Sequence, residues 1–193
     1  MAEYTEREAV PPAGTDERFV GYGVLGLQFA SGDILALRRW SASSIGPSYS
    51  SVWHRRPDGR WRIYSDAPER QACARYISRS APENFATRIR LDWLSPWELR
   101  ITVVEAAIEW KVAFADTLAT RAFGLGMRVL PEGMRQSTTA LALMSALAPV
   151  ALDAHGLRLM GEMPNGQRYR VAPSRVLRVR ASRACWGGEE LGD

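Results

Sequence analysis

A mainly β, antiparallel fold with a helical insert is predicted by three observations. Short runs rich in Val, Ile, Tyr and Trp recur along the chain, separated by Gly, Pro, Asp and Asn. Pro57-Asp58-Gly59 and Pro164-Asn165-Gly166 have the composition of tight hairpin turns. The period changes from two to helical between Asp116 and about His155 and then reverts. About nine short strands follow from this reading. Their spacing suits a β-barrel or a strongly curved sheet, with the helices inserted before the last strands.

The first strand, Phe19 to Phe29, holds glycines at 21, 23 and 26. Glycine weakens a strand unless the chain bends sharply or another backbone comes close. Ser31-Gly32-Asp33 is a turn, and Ile34 to Trp40 returns. Tyr49 to Asp66 is a hairpin about Pro57-Asp58-Gly59, and residues 67–86 are less regular. Strands follow at 86–93, 97–104 and 107–115. In the last, Ile108, Trp110, Val112 and Phe114 alternate with Glu109, Lys111 and Ala113, which marks a half-buried strand. Asp116 is the expected N-cap of a first helix, which Pro131 stops. A second, from Ser137 to about Asp153 and ended by Gly156, is apolar nearly all round. That pattern reads as a core helix, with a lid, a partner contact or a membrane-surface contact as alternatives. Strands resume from Leu157, at 167–171 and at 174–180. The expected organisation is an arm at 1–18, one domain at 19–186 with its insert at 116–155, and a loose tail at 187–193.

Composition narrows the function classes. The 193 residues, 46% apolar with seven tryptophans, suffice for a real core. Net charge is +4, and 24 of the 25 basic residues are arginine. No long basic block occurs, so no nucleic-acid partner is expected. Cys73 and Cys185 lack metal-ligand spacing, so no metal is expected. The charged N-terminus is unlike a signal peptide and no run is long enough to span a bilayer, which places the protein in the cytoplasm. There is no GxSxG, no P-loop and no GxGxxG followed by the acidic residue of a dinucleotide site, and no cofactor is expected.

The turn sets which side chains share a face. With Pro57-Asp58 in a type I turn and Gly59 as a bulge, Arg56 faces Arg60, His54 faces Arg62, Trp53 faces Ile63 and Val52 faces Tyr64. A two-residue Asp-Gly loop would instead set His54 against Ile63. In the bulged register, Trp53, Ile63 and Trp61 form one side, read as core. His54, Arg62 and Tyr64 form the other, which is either a polar surface or the wall of a pocket. Other candidates are an anion site at Arg38, Arg39 and the serines at 41, 43, 44 and 48, and the sole lysine, Lys111. Alternation turns Lys111 away from the core. His155 at a helix end suits a dipole partner.

The run GYGVLGLQFASGDILALRRW, then SVWHRRPDGRWRIY and IEWKVAFA, resembles the lipocalin-type β-domains of the carotenoid hydratase and tocopherol cyclase group. The likeness lies in strand order and in the W-x-x-x-P-D-G-x-W-x-x-Y hairpin, over 19–115 and the last strands. Members often carry two such domains; this chain has room for one, and the helical insert is a departure. The resemblance implies a lipocalin-like barrel around an apolar terpenoid- or polyketide-like metabolite, with cofactor-free cyclisation, isomerisation or hydration. His54 is then the expected general acid or base, Tyr64 a second proton donor and Arg62 the group holding a substrate oxygen. Trp40, Trp53, Trp110, Arg38 and Tyr49 are the expected substrate-binding residues. A non-catalytic carrier or sensor of an apolar ligand is the alternative.

Overall fold

A computed structural model describes residues 6, 9–129, 131–135, 137–152 and 157–192, apart from the side chains of 128, 132, 135 and 150–152. His155 and Gly156 lie outside the described residues. Two compact units divide the chain: 1–113 with 181–193, and 114–180.

In the first unit, β1 (Phe19–Gln28), β2 (Ile34–Ser43), β3 (Tyr49–Arg55), β4 (Trp61–Ser65) and β5 (Glu83–Ala86) form one sheet in chain order. The first four are antiparallel. β5 runs parallel to β4, which no tight turn permits. The crossover carries a 3-10 turn (Glu69–Gln71) and α1 (Ala74–Ile77). That is the physical meaning of the irregular stretch 67–86. Its Ala67, Ala72 and Cys73 pack with Tyr49, Phe19 and Trp40.

A second sheet has the order β12 (Glu189–Glu190), β11 (Arg178–Trp186), β8 (Ile108–Ala115), β7 (Glu98–Val103), β6 (Ile89–Ser95). Alternation holds here as expected: Ile108, Trp110 and Val112 are fully buried opposite Val103, Ile101 and Leu99, while Lys111 is exposed. Twelve strands in three sheets thus replace the expected nine, and the strands do not close into a barrel among the described residues. Within the stretch expected to be a loose tail, Glu189–Glu190 form β12. The Leu191 N–H donates to the Ala184 carbonyl, and the Ser31 N–H to the Leu191 carbonyl, each within 2.9 Å.

The hairpin adopts the bulged register. His54 pairs with Arg62, Trp53 with Ile63 and Val52 with Tyr64. The Gly59 N–H donates to the Arg56 carbonyl and the Arg56 N–H to the Arg60 carbonyl. Gly59 has φ 84°, a conformation that glycine adopts without strain.

The second unit holds α2 (Leu118–Val129), α3 (Glu132–Arg135), α4 (Thr138–Leu152) and a two-stranded sheet of β9 (Met160–Glu162) and β10 (Arg168–Arg170). Thr117, not Asp116, caps α2. Its Oγ1 accepts the Thr120 N–H at 3.2 Å while Thr120 Oγ1 accepts the Thr117 N–H at 2.8 Å, a reciprocal capping box built from two threonines. Asp116 is free to bind Arg121 and Arg175, each at 3.2 Å. Ser137 Oγ caps α4 through the Ala140 N–H. Met127, Leu141, Met144 and Leu159 form this unit's core.

The glycines of β1 answer the second of the two expectations. A Cβ at Gly21 would stand 1.9 Å from the Arg39 carbonyl oxygen, beside a bulge in the β1–β2 register, whereas one at Gly26 would meet only the Ile34 Cγ2 at 3.1 Å. Gly21→Ala is therefore expected to destabilise by about 2–3 kcal/mol or more, and Gly26→Ala by roughly 1 kcal/mol or less. Urea unfolding of the two variants checks the order.

Candidate functional site

The β2–β3 register sets Leu35 opposite His54. Asp33, two residues before Leu35, is then the diagonal neighbour of His54 on the same face. The turn that delivers it is closed by Gly32 N–H to Phe29 carbonyl and Phe29 N–H to Asp33 carbonyl bonds, both 2.9 Å. Asp33 Oδ1 lies 2.6 Å from His54 Nε2, and Ser31 Oγ donates to Oδ2 at 2.7 Å. His54 is 0% exposed and Asp33 4%.

Around this pair the two sheets of the first unit meet. The Trp186 indole stands edge-on to the imidazole, with centroids 5.1 Å apart. The Arg56 and Arg62 guanidinium groups lie 4.9 and 5.6 Å from the Trp186 ring. Arg62 Nε donates to Glu83 Oε2 at 2.8 Å, and this bond holds the guanidinium firmly protonated. Tyr64 stacks on Phe85 at 5.5 Å, and burial raises its phenol above the ordinary range.

His54 Nδ1 is buried with no hydrogen-bond partner. Burial pushes the imidazole below its ordinary pKa; Asp33 works the other way, and Arg62 and Arg56 add to the depression. The neutral ring donates Nε2–H to Asp33, which fixes the tautomer and leaves a bare lone pair on Nδ1. A carboxylate on one nitrogen and a free lone pair on the other is the arrangement of an oriented general base.

The face containing His54 was expected to be polar or pocket wall, with the Trp53 side as core. In fact Leu35, Leu37, Val52 and His54 are all fully buried on the His54 face. The structure gathers His54, Arg62 and Tyr64 on that face. It does not bring the expected binding residues to them. Arg38, Trp40, Tyr49 and Trp53 share the opposite face of the same sheet, because each lies one position out of phase with His54. There Arg38 lies 5.2 Å from the Trp53 ring and donates to the Val24 and Leu37 carbonyls, and Tyr49 Oη accepts the Cys73 N–H at 2.8 Å. Trp110 belongs to the second sheet and donates to Ser182 Oγ at 2.8 Å.

The chain matches no protein-family model, no curated protein and no solved structure.

Of the expected arginine–serine anion site, Arg39, Ser43 and Ser44 are bonded within the protein, while Ser41 Oγ is buried with no partner. Arg39 pairs with Glu6 at 3.4 Å, Ser43 Oγ accepts the Ile45 N–H and Ser44 Oγ the Arg18 N–H. Two site residues escaped the sequence reading. Asp33 was read only as a turn residue, because a loop does not reveal the register of the strands it joins. Trp186, the last residue of the expected domain, carries no expected role, although Gly187-Gly188 between Trp186 and Glu189-Glu190 is a hairpin turn signal.

Because the unfolded histidine takes its proton near pH 6.5 and the folded one at lower pH, the unfolded state binds more protons as pH falls. The stability from neutral His54 is present above about pH 6.5 and is lost below it, at up to about 1.4 kcal/mol per pH unit. Urea titrations between pH 7.5 and pH 5 (roughly the span of histidine titration) are expected to show this slope, and His54→Leu to reduce it.

Proposed function

We propose that the protein binds an apolar, oxygen-bearing metabolite against the His54 face and moves a proton with His54. The observation that carries this reading is the unpartnered, buried Nδ1 of an imidazole whose other nitrogen is held by Asp33. A buried polar atom without a partner calls for an explanation, and a reacting group that completes its bonding supplies one. Nδ1 takes a proton from carbon or from water and returns it at another position, with no net redox change. Asp33 holds the transient imidazolium, as an orienting carboxylate does. Arg62 holds the substrate oxygen and Tyr64 lies on the same face. The reaction class is a cofactor-independent cyclisation, isomerisation or hydration of a terpenoid- or polyketide-like compound. The lipocalin-type likeness of the strand order belongs to this same proposal.

A second reading is favoured by one fact: the imidazole is wholly covered. In that reading the Asp33–His54 pair pins the turn before β2 to β3, and the protein carries or senses an apolar ligand without changing it. Catalysis requires the Trp186 indole to move off the ring when substrate enters; carriage does not.

The test uses isoprenoid alcohols and β-diketones in D2O, read by mass spectrometry for carbon-bound deuterium and by tryptophan fluorescence for binding. His54→Gln is expected to lose incorporation by about a hundredfold or more while still binding. Binding without any incorporation by the wild type leaves the carrier reading; incorporation undiminished in His54→Gln contradicts the role of His54.

A further inference from the structure

The second unit exposes an unusual amount of apolar surface for its size. Both of its longer helices bury one side in the shared core and turn another apolar side outward. On α2 the outward stripe is Leu118, Ala122, Leu125 and Val129, spaced four, three and four residues apart and therefore on one face. Leu118 is 83% exposed, Leu125 64% and Val129 76%. On α4, Leu141, Met144 and Ala148 are buried, while Ala142, Leu143, Ala146 and Leu147 are exposed. This corrects the expectation of a helix buried all round. Large apolar side chains left outward in such numbers mark a docking surface.

Charge identifies the occupant. Residues 114–180 carry nine arginines against four carboxylates, a formal +5, so the rest of the chain carries −1. One of the four carboxylates, Asp116, is already neutralised by Arg121 and Arg175. Arg158, Arg168 and Arg170 are exposed. Apolar helix faces within a basic unit match the two requirements of an anionic bilayer surface: hydrocarbon to receive leucines and phosphate to receive arginines. The same charge disfavours a second copy, because two +5 units repel. A crossing segment is not implied, since no helix among the described residues is long and apolar enough to span a membrane. We infer that the 114–180 unit docks peripherally on an anionic membrane surface through the exposed leucines of α2 and α4, independently of the His54 site.

The test is co-sedimentation of the full chain with vesicles of mixed phosphatidylglycerol and phosphatidylcholine, and with vesicles of phosphatidylcholine alone. Binding to the anionic vesicles is expected, with most of it lost in about 0.5 M NaCl. Leu143→Glu with Leu147→Glu, and separately Leu125→Glu, are expected to weaken it by about tenfold or more. These leucines are exposed, so the variants are expected to keep the wild-type circular dichroism and melting temperature; His54→Gln is expected to bind as the wild type. No binding to anionic vesicles overturns the inference, as does equal binding to neutral ones. Undiminished binding by the leucine variants does so too. So does sedimentation equilibrium showing a dimer that Leu143→Glu dissociates, because the leucines then meet a second copy.

Discussion

The hydrogen bond between Asp33 and His54 is the constraint on which the first unit turns. It joins the entry of β2 to the far end of β3 in a place that water does not reach. A lone buried carboxylate is strongly unfavourable, and Asp33 is tolerated because Ser31 and His54 both donate to it. The surroundings follow from that. Trp186 closes over the imidazole, Leu191 just beyond β12 accepts the Ser31 N–H, and burial, aided by Arg62 and Arg56, favours the neutral ring. One bond thus sets the tautomer of His54, the only histidine among the described residues, while burial sets its charge.

Much of the scaffold was legible because short-range chemistry decides it. Pro57-Asp58-Gly59 selects a bulged turn, and the turn alone fixes that His54 pairs with Arg62. Alternation at 108–115 needs only the local sequence to show which side is buried. The long-range pairings were not legible. Nothing within 67–86 reveals that β5 returns parallel to β4, since the pairing depends on a crossover that covers Tyr49 and Trp40. The burial of the His54 face was misjudged for a related reason. A histidine, an arginine and a tyrosine look polar in isolation, but Leu35, Leu37 and Val52 surround them once β2 is docked. His54, Arg62 and Tyr64 share a face, whereas Arg38, Trp40, Tyr49 and Trp53 share the other.

The two units divide the physical work. The first builds a precise, dry environment in which one imidazole is held by a carboxylate. The second exposes leucines and arginines, with few carboxylates to oppose the charge. Under the proposed function the two properties serve together, because apolar metabolites concentrate in membranes.

The proposed role of His54 requires a neutral ring whose Nε2 proton is held by Asp33 and whose Nδ1 is bare. Nitrogen-15 NMR of histidine-labelled protein at pH 7 tests it directly. The account predicts a protonated Nε2 and an unprotonated Nδ1, and Asp33→Asn should disturb that tautomer. A ring protonated on both nitrogens at pH 7, or a proton on Nδ1 alone, would contradict it.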